Sequence, residues 1–182
     1  STTMVPIEYE GAEGKIKINL LDTPGYFDFV GEVEEAVSAA DAAIIVVNCK
    51  AGIEVGTEKA WDLCEEYKLP RIIFVTNMDD DHASFRELIL KLEKKFGRKI
   101  APFQVPIREN EKFVGFVNAV KMQGRRFTNL SDYEDCEIPE YTKKNLGIIR
   151  DALIEAVAET SEEYMERYFS GEEFTQDEIY TA

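Results

Sequence analysis

Apolar and polar residues alternate through residues 3–10, the period-two signature of a strand with two unlike faces. Lys15-Ile16-Lys17-Ile18-Asn19-Leu20-Leu21 repeats that alternation, and Gly11 and Gly14 between the two runs predict a hairpin turn. After Asp22-Thr23-Pro24-Gly25 the period lengthens, with Val33, Ala36, Val37 and Ala40 on one helical face. Ala43-Ile44-Ile45-Val46-Val47-Asn48 is a continuous β-branched run, suited to a central strand buried on both faces of a parallel sheet. Helical spacing returns over residues 57–68 through Ala60, Leu63, Cys64 and Tyr67, and Arg71-Ile72-Ile73-Phe74-Val75-Thr76 predicts a further strand. Residues 83–96 then offer Leu88, Leu90, Leu92 and Phe96 for packing on a helix. Strands alternating with helices predict an α/β fold, a doubly wound sheet with right-handed crossovers.

From residue 101 the pattern changes. Strand-like pieces at 103–107, 113–122 and 126–130 follow one another without helices between them, then comes an acidic loop, Ser131-Asp132-Tyr133-Glu134-Asp135-Cys136-Glu137. A single long helix over 142–169 would carry Leu146, Ile149, Leu153, Ala156, Val157, Tyr164 and Tyr168 near one stripe. This predicts an inserted α+β subdomain over residues 101–172, preceded by an α/β part at 1–100 and followed at 173–182 by the start of another helix.

Composition narrows the function classes. In 182 residues, 45% hydrophobic and 31% charged, the net charge of -15 makes free nucleic acid and anionic membranes poor partners for the chain as a whole. No run approaches the about 18 apolar residues of a membrane span, and the first residues lack a secretory signal. Cys49, Cys64 and Cys136 are odd in number and widely spaced, which fits a reducing, cytoplasmic setting better than a disulfide framework. His82 is the single histidine, so two-histidine zinc motifs are excluded.

Two loops carry the candidate chemistry. Asp22-Thr23-Pro24-Gly25 closes a strand; if that strand is parallel, it ends where doubly wound sheets bind ligands. In nucleotide hydrolases such an aspartate holds Mg²⁺, often through water, and a glycine three residues on lets the backbone N–H approach a terminal phosphate. The same four residues also suit an ordinary strand-to-helix turn. The second loop is Thr76-Asn77-Met78-Asp79-Asp80, at the end of the later strand. A carboxylate there that accepts two N–H donors would distinguish guanine from adenine; as a plain acidic loop it would cap the next helix.

Taken together these residues resemble the translational GTPases, elongation factor G and its paralogues among them. The resemblance runs from Lys17 through Asp22-Thr23-Pro24-Gly25-Tyr26-Phe27-Asp28-Phe29 to residues 41–48, 52–58 and 70–75. It continues through Gln104-Val105-Pro106-Ile107 and Phe113-Val114-Gly115-Phe116-Val117-Asn118 to Tyr168-Phe169-Ser170-Gly171-Glu172-Glu173, where it is similar to the insert of that family's G domain. It implies a P-loop GTPase-type fold, GTP or GDP with Mg²⁺ as ligands of the full-length protein, the ribosome as partner, and translocation as the process. It also implies roles: Asp22 beside Mg²⁺, Gly25 at the γ-phosphate, and the loop after the later strand on guanine. There the family's N-K-x-D motif is met in one of two registers, Thr76-Asn77-Met78-Asp79, which keeps Phe74-Val75 in frame, or Asn77-Met78-Asp79-Asp80.

The departures from the family pattern define further expectations. Tyr26 stands where the family has the histidine that positions the attacking water, and its hydroxyl lacks imidazole's geometry and near-neutral pKa, so hydrolysis is expected to be slower or differently arranged. Neither register of the base loop has the family's lysine. None of the 11 glycines is followed five residues later by another, so no GxxxxGK[ST] phosphate loop can be written, and these residues read as the middle of a G domain expected to hold nucleotide poorly by themselves. Tyr26 and the absent lysine also admit a second reading, a non-hydrolysing ribosome-binding or regulatory module with a degenerate GTPase fold.

Overall fold

A computed structural model describes residues 1–11, 14–25, 30–129 and 132–182, which divide into two compact units, Ser1–Thr76 and Asn77–Ala182. In the first unit β1 (Thr3–Gly11) and β2 (Gly14–Asp22) pair antiparallel, from Thr3 opposite Asp22 to Gly11 opposite Gly14. Helix α1 (Val30–Ala39) buries Ala36. Then β3 (Ala43–Asn48), α2 (Val55–Glu66) and β4 (Arg71–Thr76) form a β-α-β unit whose strands run parallel, in register from Ala43 opposite Arg71 to Asn48 opposite Thr76. The described residues thus form an α/β fold.

Packing in this unit is one-sided. Ile45 and Val47 of β3 are buried, as are Thr57, Trp61 and Cys64 of α2. The Arg71 guanidinium lies 3.9 Å above the Trp61 ring and pairs with the Glu65 carboxylate, so a cation covers the indole where α2 meets β4. Burial pushes the Cys64 thiol pKa up, opposed by the Arg71 charge.

The expectation that β3 is buried on both faces is not met. Strand alternation sends Ile44 and Val46 to the face opposite Ile45 and Val47, and they remain 59% and 61% exposed, beside exposed Ile72 and Phe74 of β4. Among the described residues of the first unit no element covers that face. Strand β2 differs too: Ile16, Ile18 and Leu20 are exposed and its partner is antiparallel β1, so Asp22 closes an open hairpin strand and not a parallel one.

The second unit opens with α3 (Phe85–Phe96), whose N-cap Ser84 hydroxyl accepts from the Glu87 N–H. Leu88 and Leu92 are buried, while Leu90, off the packed stripe, is exposed. Strands β5 (Gln104–Glu109), β6 (Lys112–Asn118), β7 (Gln123–Phe127) and β8 (Tyr133–Cys136) form an antiparallel sheet in that order. The β5–β6 turn is Asn110-Glu111, both with positive φ (49° and 68°), as a tight primed hairpin turn requires. At Gly115 a Cβ would fall 2.1 Å from the Arg125 carbonyl oxygen, so only glycine fits there. Val105, Ile107 and Val117 pack into one core with Leu146, Leu153 and Val157 of α4 (Glu140–Ala158). On the opposite face Phe116 stacks near Phe127 and Tyr133 at centroid distances of 5.9 and 6.1 Å.

Three elements of this unit depart from the sequence pattern. Strand β6 stops at Asn118, because its side-chain oxygen accepts the N–H groups of Val120 and Lys121, both at 2.9 Å, and turns the chain. The acidic loop contains β8, an edge strand, the position where charged residues are tolerated. The long helix is two: after α4, Ser161 caps α5 (Glu162–Phe169) by accepting the Tyr164 N–H at 3.1 Å, starting a new helix although the apolar stripe continues.

The chain ends in α6 (Gln176–Thr181), held to α5 by one arginine. Arg167 places Nη1 2.6 Å and Nη2 3.3 Å from the two Glu178 carboxylate oxygens, with Nε 3.2 Å from Glu172. The Arg167 hydrogen bonds, joined by those from the Thr175 N–H and hydroxyl, lower the Glu178 pKa from 4.5 to about 2. Because the folded-state pKa is the lower one, this clamp contributes its full stability above about pH 4.5 and loses it as pH falls from there towards 2. Urea titrations at pH 5.5 and pH 3 should show Glu178→Gln destabilising the protein at the higher pH, with a smaller gap to wild type at the lower.

Candidate functional site

Strands β3 and β4 end opposite each other, and a tight turn follows β3 there. The Asn48 side-chain oxygen accepts the N–H groups of Lys50 at 2.9 Å and Ala51 at 3.0 Å, and its carbonyl accepts the Gly52 N–H at 2.8 Å. Gly52 has a φ of 75°, the conformation that favours glycine. One rung beyond the sheet, the Cys49 N–H donates to the Thr76 carbonyl at 2.9 Å, while the Thr76 hydroxyl donates to the Val47 carbonyl at 3.4 Å. Thr76 therefore laces the ends of the two strands together.

Asp22 at the end of β2 is exposed, Thr23 and Pro24 are half-buried and Gly25 is exposed. Gly25 has no positive φ, and a Cβ there would meet nothing within 4 Å. Neither backbone conformation nor packing among the described residues demands a glycine there. Tyr26 lies outside the described residues.

Asn77, Met78, Asp79 and Asp80 belong to the second unit. Asn77 adopts a φ of 55°, which asparagine tolerates better than most residues. Its carbonyl accepts the Asp80 N–H at 3.3 Å; the Asp80 carboxylate accepts the His82 N–H at 2.9 Å, and the Asp80 carbonyl accepts the Ala83 N–H at 3.0 Å. Met78 is buried and anchors the loop, whereas Asp79 is exposed. The two neighbouring aspartates thus differ: Asp80 caps the chain's own backbone and Asp79 faces outward.

Two contributors escape the sequence pattern. Asn48 is foreshadowed only by the glycine four residues on, a turn signal that says nothing of the side chain. Arg108 of β5 donates from Nη2 to the Met78 carbonyl and from Nη1 to the Glu111 carbonyl at 2.9 Å, across a separation of 30 residues that no local pattern foretells.

Among the described residues no group of three or more histidine, cysteine or acidic side chains is placed to hold a metal ion. A single exposed carboxylate such as Asp22 does suit Mg²⁺, which keeps most of its waters and takes one or two carboxylates beside substrate phosphates. No helix of the described residues is long and apolar enough to cross a membrane.

Comparison with known proteins gives a consistent result. The profile of the elongation factor Tu GTP binding domain matches residues 1–170. The chain is 35% identical over 179 residues to an elongation factor G-like protein of Thermotoga maritima, covering 98% of this chain and 25% of that protein. It is 38% identical over 165 residues to elongation factor G of Thermotoga neapolitana, covering 90% of this chain and 24% of that one. A crystal structure of a Thermus thermophilus protein superposes with a TM-score of 0.88 at 34% identity, over 99% of this chain and 26% of the other. The chain spans about a quarter of the length of the curated relatives it matches.

Asn48→Ala should loosen the turn after β3 without unfolding the protein. Loss of two side-chain acceptor bonds worth about 1 kcal/mol each should speed amide exchange at Lys50 and Ala51 by about tenfold or more. Unchanged exchange at both amides would contradict this role for Asn48.

Proposed function

Because the chain belongs to the family of elongation factor Tu GTP-binding domains, we propose that it is the guanine-nucleotide-binding part of a longer, elongation-factor-G-like GTPase that works on the ribosome in translocation, in the cytoplasm. The observation that carries the base-recognition half of this reading is the division of labour between Asp79 and Asp80. Asp80 is committed to the His82 N–H and Thr76 to the Val47 carbonyl, whereas Asp79 is exposed. That favours the register Thr76-Asn77-Met78-Asp79, with Asp79 accepting the two N–H groups on the guanine edge and Thr76 fixing the loop to the sheet.

The other roles follow from what each residue has free. Asp22 would hold Mg²⁺ through water, and Gly25, flanked by Thr23 and Pro24, would offer its N–H to the terminal phosphate without a Cβ in the way. GTP and Mg²⁺, when bound, would supply the phosphoryl group and the charge that draws its oxygens. Tyr26 would occupy the catalytic-water position, where a phenol at ordinary pH orients a water but is a weak base. Residues 101–172 would be a subdomain inserted in the GTP-binding domain, with residues 1–100 the central part of that domain and 173–182 starting the helix that returns to it. The β-phosphate loop has no counterpart in these residues, so nucleotide affinity would need the longer protein.

Titration of the full-length protein with fluorescent GDP should give tight binding that excess ATP does not displace. Asp79→Asn should weaken GDP at least about tenfold and favour xanthosine diphosphate, whose C2 carbonyl suits an amide donor. The isolated 182 residues should show no saturable micromolar binding, and equal GDP affinity in Asp79→Asn would exclude Asp79 as the reader.

For the chemistry, ribosomes should stimulate phosphate release from GTP by the full-length protein, and Tyr26→His should accelerate it. No release by folded protein in the presence of ribosomes would defeat the enzyme reading.

A further inference from the structure

We propose that Arg108 is a positioning residue for base recognition, a fork that joins the β5–β6 hairpin to the loop carrying Asp79; this rests on the guanine-reading role assigned to Asp79 above. The Arg108 guanidinium donates from Nη2 to the Met78 carbonyl and from Nη1 to the Glu111 carbonyl at 2.9 Å. Its own carbonyl accepts the Tyr141 hydroxyl at 2.6 Å, which ties the backbone of Arg108 to the first turn of α4.

The Met78 carbonyl matters because of peptide planarity. The oxygen of Met78 and the nitrogen of Asp79 lie in one rigid plane, so a donor on that oxygen also fixes the direction in which Asp79 leaves the chain. The following peptide plane is held by the Asp80 N–H on the Asn77 carbonyl at 3.3 Å. Asp79 therefore sits between two anchored planes, and its carboxylate direction reduces to its own backbone dihedrals and side-chain rotamer. Two-point recognition of a base edge needs that restriction, since hydrogen bonds weaken steeply with angle.

Two features of the hairpin accompany this contact. The β5–β6 register shifts between Ile107 and Arg108, a bulge of the kind that redirects a side chain. Glu111 holds a φ of 68°, unfavourable for a residue other than glycine or asparagine, and such a conformation persists where its surroundings hold it. The second arm of the Arg108 fork lands on the Glu111 carbonyl itself. Hairpin turn and base loop are thereby one mechanical piece, and a displacement at Asn110-Glu111 would be felt at Asp79. A planar guanidinium can serve both carbonyls at once, whereas a lysine ammonium is a single point donor.

The test compares affinities of the full-length protein for GDP and for inosine diphosphate, which lacks the exocyclic amino group and so reports the two-point contact. Arg108→Ala should weaken GDP by about tenfold and lower the preference for GDP over inosine diphosphate by at least about threefold. Arg108→Lys should fall between it and wild type. The double variant Arg108→Ala/Glu111→Gly relieves the turn by placing glycine at the positive-φ site, so thermal stability should return while the lost preference does not. It also keeps the measurement possible if Arg108→Ala alone folds poorly. A wild-type preference in folded Arg108→Ala, or a preference restored along with stability in the double variant, would overturn the proposal. Asp79→Asn runs alongside: if it too keeps the wild-type preference, the base reading itself fails, and if it loses the preference while Arg108→Ala keeps it, only the role of Arg108 fails.

Discussion

The parallel register of β3 on β4 is the constraint from which the remaining arrangement of the first unit follows. Asn48 and Thr76 finish opposite each other, so the loops that leave them start from one level at the carboxyl end of the sheet. That end is where open α/β sheets accept ligands. A slip of one residue would bring Ile44 and Val46 under α2 in place of Ile45 and Val47, and it would part the Cys49 N–H from the Thr76 carbonyl. Burial of Ile45 and Val47 beside a helix that buries Trp61 and Cys64 is what makes that slip costly.

Within that frame, the polar side chains divide into those engaged by the fold and those left exposed. Asn48 and Thr76 in the first unit and Asp80 in the second have polar side chains, and each is engaged with backbone. Asp22 and Asp79 are exposed, and Gly25 satisfies no conformational or steric demand. Mere presence in a motif does not make this distinction.

Much of this was legible in the sequence, for identifiable reasons. The β-branched runs at 43–48 and 71–76 coincide with β3 and β4, because continuous apolar runs bounded by polar turns admit few alternatives. The hairpin of β1 and β2 was marked by its alternation and glycines. What stayed hidden depends on pairings and competition that periodicity does not record. The break between α4 and α5 rests on one serine cap inside an unbroken apolar stripe, and β8 is a strand only because β7 offers it an edge. The capping role of Asp80 depends on where the His82 N–H lies, which spacing does not record. Arg108 reaches Met78 through tertiary structure alone.

The stack of Arg71 on Trp61 has a consequence for spectroscopy. Trp61 is the single tryptophan of the chain and lies in the first unit, whereas the tyrosines are spread over both. Emission excited selectively from the indole therefore reports on residues 1–76 alone, and a guanidinium 3.9 Å from the ring makes that emission sensitive to separation of α2 from β4. The chain carries a built-in optical probe that distinguishes melting of residues 1–76 from melting of the half that holds the four-stranded antiparallel sheet.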